Sequence, residues 1–315
     1  MRRHLGLPET RLGPTALAVG SFDGVHLGHR AILERLRAIA AAQGLGSAWI
    51  TFDPHPRCVL DPANCPPQIT MLDERLALVE PLGLDHAIVL AFTRELGSLT
   101  AEEFLTRLLA SMDLRCLVCG HDFALGRARQ GDVAWLRRHG SLHGYAVQLI
   151  EPFVVGSEEV HSSEVRRLVT LGEMEAANLL LGREFAMAGP VEPGDRIGRR
   201  IGWPTVNLAV PPGKLVPGRG IYAGWATTPL GVHQAAISVG IRPTFGKTEL
   251  RVEAYLLDFP AADLDHQRLE LRFVSRLRDE VRFPDPESLS DQIARDVEAT
   301  RAVLDRSAPP TRHGS

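Results

Sequence analysis

Apolar positions in residues 1–182 form short runs that alternate with longer segments of helical periodicity. Arg30–Gln43, for example, carries apolar side chains at helical spacing and is followed by Gly44, a residue type that commonly ends helices. This alternation of strands and helices predicts an α/β fold in which helices cover both faces of a doubly wound parallel sheet. The apolar runs that we interpret as strands are Ala16–Phe22, Ser47–Phe52, His86–Phe92, Cys116–Gly120 and Tyr145–Phe153.

The pattern changes after Gly182, where the apolar runs become closer together and are separated by glycine and proline. Closely spaced strands with turn residues between them predict a small antiparallel β-barrel. These runs are Phe185–Val191, Thr205–Val210, Gly220–Thr227, Gln234–Val239, Leu250–Leu257 and Arg268–Arg276. A last helical pattern covers Ser290–Asp305. We therefore expect two domains, 1–182 and 183–306, followed by a disordered tail at 307–315.

Composition narrows the class of protein. With 44% hydrophobic and 23% charged residues, the chain has the composition of a soluble globular protein. The formal net charge of −3 argues against a general nucleic-acid binder. No apolar run approaches the roughly 20 residues of a membrane span, and the amino terminus lacks the apolar stretch of a signal peptide. We expect a cytoplasmic protein that has neither a nucleic-acid nor a membrane partner.

The chain contains four cysteines, too few for a disulfide scaffold at this length. Cys116 and Cys119 have the CxxC spacing of redox and metal sites. They lie within an apolar run, however, and no second pair stands at zinc-site spacing. We interpret them as small core residues in preference to a redox or metal site, because free cysteine commonly packs as a small hydrophobe.

The segment Val19–His29, with the sequence VGSFDGVHLGH, follows the first strand and opens the first helix. Parallel sheets bind ligands at this position, beyond the carboxyl ends of their strands. His26 and His29 are three residues apart and therefore share a helix face, from which they can donate hydrogen bonds to phosphate oxygens. A turn with two surface histidines is the alternative. The phosphate site is favoured because the strand, Asp23, both histidines and three glycines coincide: Gly20 and Gly24 allow a tight turn, and Gly28 leaves room for a phosphate to approach the backbone.

A second glycine-rich segment, Gly189–Asn207, contains no P-loop sequence. Thr205 and Asn207 alternate along a strand, so their hydroxyl and amide oxygens share one face, and such oxygens are hard ligands suited to Mg²⁺. A basic surface loop that runs into an ordinary strand explains the same spacing equally well. The glycines that would form a polyphosphate loop are Gly194, Gly198 and Gly202, and its arginines are Arg196, Arg199 and Arg200.

The segment Val19–His29 closely resembles the HxGH motif of nucleotidyltransferases. With Phe22-Asp23-Gly24 in front of the histidines, it is similar to the adenylylating half of bacterial bifunctional riboflavin kinase/FAD synthetases. Further segments match that family in the expected order: Thr51–Pro56, Gly120–Asp132 and Ser162–Arg166. The resemblance implies that His26 and His29 act on ATP phosphates in catalysis. It also implies ATP or phosphate contacts for Gly20, Phe22, Asp23, Gly24, Gly28, Asp122, Ser162, Ser163 and Arg166.

Gly202–Asn207, with the sequence GWPTVN, resembles the GFPTAN motif of riboflavin kinases. The segments Gly220–Ala223, Val239–Phe245 and Val252–Asp258 follow in the order of that family. The resemblance implies that Thr205 and Asn207 hold Mg²⁺ and that Glu253 is the catalytic base. It implies ATP-binding roles for Gly194, Gly198, Arg199 and Gly202, and flavin-binding roles for Arg278, Glu280 and Phe283.

The resemblance covers residues 14–305 and implies a bifunctional enzyme whose small-molecule substrates are riboflavin, FMN and ATP. The barrel half would phosphorylate riboflavin to FMN, and the sheet half would adenylylate FMN to FAD with release of pyrophosphate, with Mg²⁺ as cofactor. Ser21 replaces an asparagine of the family, and Glu159 stands where many members have a basic residue. These departures leave open a riboflavin kinase with a weakened or inactive first domain. A non-enzymatic flavin-binding protein is the other alternative, and the sequence indicates no oligomeric state.

Overall fold

In the computed structural model of the chain, six parallel strands form the sheet of the amino-terminal half. The structure describes residues 1–193, 198, 202–244, 247–260 and 262–306. None of the helices among these residues has the length and apolar surface that crossing a membrane requires. Contacts divide the chain into Met1–Ser162 and Ser163–Ser315, which we call the first and the second unit.

The sheet of the first unit has the strand order β1-β4-β3-β2-β5-β8, and every neighbouring pair in it is parallel. Two short antiparallel ribbons are formed by β6 with β7 and by β9 with β10. The strands are β1 (Arg2–Leu5), β2 (Leu12–Val19), β3 (Gly46–Asp53), β4 (His86–Ala91), β5 (Met112–Gly120), β6 (Ala124–Leu125), β7 (Gly131–Asp132), β8 (Ala146–Ile150), β9 (Val154–Val155) and β10 (Glu158–Glu159).

Successive residues of β2 belong to two different cores. Ala16 and Ala18 pack in a hydrophobic cluster with Leu33 of the first helix. Leu17 packs in a different cluster, which includes Leu105 of the fifth helix. Helices therefore cover both faces of the sheet, which explains why its strands are almost continuously apolar. The helices of this unit are α1 (Leu27–Gln43), α2 (Pro56–Leu60), α3 (Leu72–Val79), α4 (Arg94–Ser98), α5 (Ala101–Ser111) and α6 (Val133–His143).

The second unit is built around a closed antiparallel barrel with the strand order β11-β12-β15-β14-β13-β16. Its interior is apolar, with Tyr222, Ile237 and Phe273 fully buried. The predicted fold class, a doubly wound parallel sheet followed by a small antiparallel barrel, is confirmed. The elements of this part are α7 (Ser162–Leu171), which begins at the last residue of the first unit, α8 (Met174–Leu181), β11 (Phe185–Glu192), β12 (Thr205–Leu208), β13 (Gly220–Thr228), β14 (Gly231–Thr244), β15 (Lys247–Leu256), β16 (Arg268–Arg278) and α9 (Pro286–Leu304).

Helix α8 packs against the barrel. The side-chain amide of Asn178 donates to the carbonyl oxygen of Phe273 at 2.8 Å, and its oxygen accepts from the backbone N–H of Phe185 at 2.7 Å. By contacts, residues 163–181 therefore group with the barrel. The sequence-based boundary at residue 182 falls at Gly182, the left-handed residue that ends α8, and it stays a prediction.

Each strand predicted from the sequence is present, although the ends shift by several residues. The largest extension is in β14, which spans Gly231–Thr244 where the pattern indicates Gln234–Val239. Helix α1 ends as predicted at Gly44, whose φ of 64° is left-handed. Strand β1 was not predicted, because Arg2–Leu5 has no apolar alternation; it is held by parallel pairing with β4.

The cysteines fall into two pairs. Cys116 and Cys119 are free and buried, which confirms their interpretation as core residues. Cys58 and Cys65 form a disulfide that the sequence did not indicate. This disulfide joins Cys58 of α2 to Cys65 in the segment between α2 and α3.

Two candidate active sites

A cavity of about 300 Å³ opens at the carboxyl ends of three adjacent strands, β2, β5 and β8. Val19, Gly120 and Ile150, the last residues of these strands, contribute to its wall. Polar lining comes from the start of α1, from residues 159–162, and from His121, Asp122 and Glu151. This is the edge at which open parallel sheets bind their ligands.

The two histidines of the motif meet at the cavity wall. His26 is the N-cap residue of α1, and its Nδ1 accepts a hydrogen bond from the backbone N–H of His29 at 3.3 Å. Their rings stack with centroids 3.7 Å apart, so they share one face as the spacing predicts. A neutral His26 ring whose Nδ1 is an acceptor carries its proton on Nε2, from which it can donate to an anion. The helix start adds the positive end of the helix dipole.

Gly28 is required by the close packing around this histidine pair. A β-carbon at this position would lie 3.2 Å from the His26 ring and 3.4 Å from the carbonyl oxygen of Val160. Any larger residue would therefore push the His26 ring or the Val160 backbone away from the cavity wall. The conformation of the motif thus depends on this glycine.

Asp23 anchors the loop between β2 and α1. It is 1% exposed, and its carboxylate accepts hydrogen bonds from the backbone N–H groups of Ile69 and Thr70 at 3.1 and 2.9 Å. Phe22 and Val25 in the same loop have φ values of 50° and 40°. Non-glycine residues rarely adopt such angles, which cost about 1–3 kcal/mol each. The buried hydrogen bonds of Asp23 hold this strained loop in one conformation.

Arg75 of α3 stabilises the backbone next to the site. It is fully buried, and its guanidinium donates to Thr51 Oγ1 at 2.7 Å and to the carbonyl oxygen of Phe52 at 3.1 Å. The Thr51 hydroxyl in turn donates to the carbonyl oxygen of Ser21 at 2.8 Å. Burial lowers the pKa of Arg75, while Asp23 and other carboxylates oppose that shift. Arg75 thus connects the end of β3 to the loop that carries the histidines.

Glu159, which departs from the family pattern, lines the cavity. Its carboxylate lies 3.3 Å from Nε2 of His161 and 4.0 Å from Nε2 of His121, and both histidines also line the cavity. Next to it, the hydroxyl of Ser162 donates to the carbonyl oxygen of Asp23 at 2.9 Å. The carboxylate of Glu159 is therefore flanked by two imidazole rings.

Cys119 also lines the cavity but has no reactive thiolate. Burial raises its pKa to about 11, so the thiol stays protonated at neutral pH. The apolar surroundings of Cys119 and Cys116 therefore favour a packing role. This agrees with the interpretation of the CxxC spacing.

The ATP-binding residues predicted for the first half divide into three groups. The cavity lining contains Gly20, Phe22, His26, Gly28, His29, Asp122 and Ser162. Asp23 and Gly24 are not part of that lining in the described structure, and Gly24 donates its N–H to Thr70 Oγ1 at 2.9 Å. Ser163 and Arg166 lie on α7 within the second unit, and their contact with ATP stays a prediction.

The barrel brings the second set of predicted residues into one row. Asn207 of β12 stands opposite Glu253 of β15, and Glu253 opposite Ser238 of β14. The row continues through Ile221 of β13 to Arg278 of β16. Directly opposite residues in adjacent strands share a face of the sheet. The predicted metal ligand, base and flavin contact therefore belong to one surface of the barrel.

Thr205 and Glu253 approach each other on this surface. Glu253 Oε2 lies 3.4 Å from the Thr205 hydroxyl, and Oε1 lies 3.6 Å from the guanidinium of Arg251. The neighbours Val252 and Ala254 are buried in the barrel, whereas the Glu253 side chain is 33% exposed. The alternation expected from the sequence is therefore present. Asn207 Oδ1 is buried and has no hydrogen-bond partner among the described residues, so an oxygen ligand is available at this point.

The predicted flavin-binding residues lie at the end of β16 and just after it. Arg278 makes two hydrogen bonds to the carboxylate of Asp296 in α9, at 2.8 and 2.6 Å. Its guanidinium lies 5.9 Å from the centre of the Phe283 ring. Glu280 lies against Gly240, where a β-carbon would come within 2.4 Å of its carboxylate. Arg278 is thus oriented by α9, and its flavin contact stays a prediction.

The predicted polyphosphate loop is described only in part. Gly198 lies directly against the start of β12, since its carbonyl oxygen accepts from the Trp203 N–H at 2.8 Å. Gly202 has a left-handed φ of 88°. Gly194 and Arg199, together with Arg196 and Arg200, lie outside the described residues.

Sequence reasoning missed Arg75, His121 and His161. A signal for Arg75 was present, because it stands in the apolar stripe of α3 that Leu72, Leu76 and Val79 define. A charged residue in such a stripe needs buried partners. His121 follows the last residue of β5, the position that lines ligand sites in parallel sheets. No signal indicated that His161 meets Glu159.

Family models match both halves of the chain. Residues 9–164 match the model described as FAD synthetase, and residues 181–304 match the model described as riboflavin kinase. These two segments contain the cavity of the first unit and the barrel surface with Thr205, Asn207 and Glu253. The order of the two matches is the one that the motifs predict.

Relatives match over nearly the full length. The chain is 36% identical over 292 residues to the bifunctional riboflavin kinase/FMN adenylyltransferase of Pseudomonas fluorescens, covering 92% of this chain and 93% of that protein. It is 33% identical to the proteins of that name from Listeria monocytogenes, with 91% and 92% covered, and from Escherichia coli K12, with 93% and 94% covered. A crystal structure described as a macrolide-efflux protein from Streptococcus pneumoniae shares the fold, with a TM-score of 0.84, 26% identity, and 93% and 94% of the two chains covered.

Proposed function

This chain belongs to the family of bifunctional riboflavin kinase/FMN adenylyltransferases, and from that premise we propose which residues carry each of its two reactions. The chain is an enzyme with both activities: it phosphorylates riboflavin to FMN and adenylylates FMN to FAD, with ATP as substrate of each step. The alternative of a kinase alone is disfavoured, since a FAD synthetase segment and a riboflavin kinase segment are both present.

Glu253 is the general base of the kinase reaction. The terminal ribityl hydroxyl of riboflavin attacks the γ-phosphorus of ATP, the bond from that phosphorus to the bridging oxygen breaks, and ADP leaves. Glu253 accepts the proton of the attacking hydroxyl. The single observation that carries this assignment is the approach of Glu253 Oε2 to the Thr205 hydroxyl, at 3.4 Å, beside Asn207 on one barrel surface.

Thr205 and Asn207 would hold the Mg²⁺ ion of this site. The residues fit the ion, because Asn207 Oδ1 is a buried oxygen without a hydrogen-bond partner among the described residues and the Thr205 hydroxyl lies beside a carboxylate. Both are the hard oxygen ligands that Mg²⁺ prefers. When bound, Mg²⁺ supplies neutralisation of the charge on the ATP phosphates. The loop predicted to carry Gly194, Gly198, Arg199 and Gly202 would bind the remaining phosphate charge, and Arg278, Glu280 and Phe283 would border the flavin.

His26 and His29 serve the adenylyl transfer. A phosphate oxygen of FMN attacks the α-phosphorus of ATP, the α–β bridging bond breaks, and pyrophosphate leaves, so no covalent enzyme intermediate is needed. The Nε2–H of His26, together with the His29 ring and the start of α1, stabilises the negative charge that develops on the phosphates. Asp122, Ser162, Ser163 and Arg166 complete the ATP site in this proposal.

Glu159 does not prevent ATP binding, because His121 and His161 stand beside its carboxylate. A bare carboxylate at the cavity wall would repel the triphosphate. The imidazoles of His161 and His121, at 3.3 and 4.0 Å from the carboxylate, offset that repulsion. The cytoplasmic location expected from the sequence also belongs to this proposal, which specifies no oligomeric state.

A product time course tests the proposal. The purified chain is incubated with riboflavin, ATP and Mg²⁺, and flavins are separated by chromatography. We expect FMN to accumulate first and FAD with pyrophosphate to follow. FMN without any FAD, in a reaction where added FMN also stays unchanged, would contradict the assignment of the first unit.

A further inference from the structure

Three metal-binding side chains meet on the first unit, away from the residues that line its cavity. Glu102 lies in the first turn of α5, and His139 and His143 lie near the end of α6. One ligand atom of each residue lies within 4.8 Å of those of the other two. None of the three belongs to either site described above.

His139 is the buried member of this group, with 4% of its side chain exposed. Its Nδ1 lies 2.9 Å from the hydroxyl of Tyr145, and that hydroxyl donates to the carbonyl oxygen of Leu136 at 3.5 Å. When this hydroxyl donates to Leu136, it accepts from Nδ1–H of His139, because it has only one proton. In that tautomer the Nε2 atom of a neutral His139 carries a lone pair.

This lone pair faces a carboxylate. Nε2 of His139 lies 3.4 Å from Glu102 Oε2, and it has no hydrogen-bond partner among the described residues. A cation placed between them would be bound by the Nε2 lone pair and by the Glu102 carboxylate. His139 thus presents a ligand atom that is oriented by a second hydrogen bond, as the histidines of metal sites commonly are.

His143 supplies the third ligand. It follows His139 by four residues, so both rings lie on the same face of α6, with centroids 4.0 Å apart. His143 and Glu102 are both exposed, so they can turn toward a common ion. The stack that Trp135, His139 and His143 form explains the burial of the middle ring and keeps the His139 ring nearly parallel to that of His143.

The backbone around the group is fixed. Thr100 and Glu103 form a reciprocal capping box at the start of α5, which holds the turn that carries Glu102. At the end of α6, a β-carbon on Gly140 would lie 2.4 Å from the carbonyl oxygen of Tyr145. Only glycine lets the Tyr145 segment come this close, and this approach places its hydroxyl beside His139.

We propose that Glu102, His139 and His143 form a binding site for a divalent transition-metal ion of the zinc class. One carboxylate oxygen and two imidazole nitrogens are a ligand set that zinc accepts, at distances of roughly 2.0–2.2 Å, with solvent at a fourth position. The ion joins the start of α5 to the end of α6. It therefore stabilises the first unit and takes no part in either reaction.

The test is a titration of the full chain with ZnCl₂, after dialysis against a chelator and without nucleotide or thiol reductant. Calorimetry gives the affinity and stoichiometry, and the melting temperature gives a second measure. We expect one tightly bound zinc ion per chain and a rise in melting temperature with zinc concentration. His143→Ala, an exposed change, should abolish both effects.

Two further variants separate metal binding from a packing role. Tyr145→Phe keeps the ring but removes the hydroxyl that orients His139, and it should weaken zinc binding by about 10–100-fold. His161→Ala is the matched control, because it removes a histidine that lies 3.3 Å from a glutamate elsewhere, and it should leave the affinity unchanged. Absence of tight zinc binding, or equal binding by the wild type and His143→Ala, would overturn the proposal.

Discussion

The two candidate sites are built in different ways. The cavity of the first unit depends on an irregular loop with left-handed residues, which the buried carboxylate of Asp23 and the buried guanidinium of Arg75 hold in place. The barrel site needs no such support, because Thr205, Asn207 and Glu253 project from regular strands in register. Substitution of buried residues that line no part of the cavity should therefore impair the first site. The second site should be impaired mainly by substitution of the residues that form it.

The largest expected effect is that of Glu253→Gln on the kinase reaction. The amide cannot accept the hydroxyl proton, so FMN formation should fall by about 10²–10⁴-fold. Adenylylation of supplied FMN should keep its rate, and both rates are measured by chromatography of separate reactions. Glu270→Gln removes a carboxylate from a different barrel strand, β16, where it pairs with Arg272, and should change neither rate. A comparable loss of both activities in Glu253→Gln would contradict the separation of the sites.

His29→Ala should act on the other reaction. Removal of one donor to a developing phosphate charge should lower adenylylation by about 10²–10³-fold. FMN formation in the same preparation serves as the control and should be unchanged. A wild-type rate of FAD formation in this variant would contradict the catalytic role proposed for the histidine pair.

Arg75→Met tests the support behind the first site. It leaves buried acceptors on Thr51, Phe52 and Thr70 without their donor, so the first unit should lose about 3 kcal/mol of unfolding free energy. On heating, adenylylation should therefore be lost before FMN formation. Arg107→Met is the control. It changes an exposed arginine with a weak contact to Glu95 at 3.9 Å, and it should leave the inactivation temperatures of both activities unchanged. If both activities of Arg75→Met were lost at the same temperature, Arg75 would not be a support specific to the first site.

Glu159→Gln should have the smallest effect, and in the favourable direction. Removal of a negative charge near the triphosphate is worth about 1 kcal/mol, so the KM for ATP in adenylylation should fall about fivefold. The KM for ATP in the kinase reaction should stay the same. Glu158→Gln, at the neighbouring exposed position of β10, is the matched control. A raised KM in Glu159→Gln would mean that the carboxylate serves to position His121 and His161.

The sequence predicts the barrel site better than the first site. Alternation along β12 and β15 places Thr205 and Asn207 on one face and turns Glu253 away from the buried Val252, and the structure has this arrangement. Local periodicity suffices there, because each side chain follows from its own strand. The start and end of α1 are equally local, since they depend on His26 and Gly44.

The parts that could not be predicted depend on distant contacts. The carboxylate of Asp23 accepts hydrogen bonds from the backbone N–H groups of Ile69 and Thr70, 46 and 47 residues further along the chain, and its contact with ATP stays a prediction. Three other features also depend on contacts between separate segments: the pairing of β1 with β4, the disulfide between Cys58 and Cys65, and the contact of His161 with Glu159. No pattern within one element specifies which remote segment lies opposite it.

The most direct test of two separate sites in one chain is a complementation of two variants. Glu253→Gln alone should form FMN and FAD from riboflavin and ATP about 10²–10⁴-fold more slowly than the wild type, and His29→Ala alone should accumulate FMN. An equimolar mixture of the two proteins should form FAD, because FMN made by one is adenylylated by the other. A mixture that forms FAD no faster than either variant alone, or Glu253→Gln that forms FAD from riboflavin at the wild-type rate, would contradict the account.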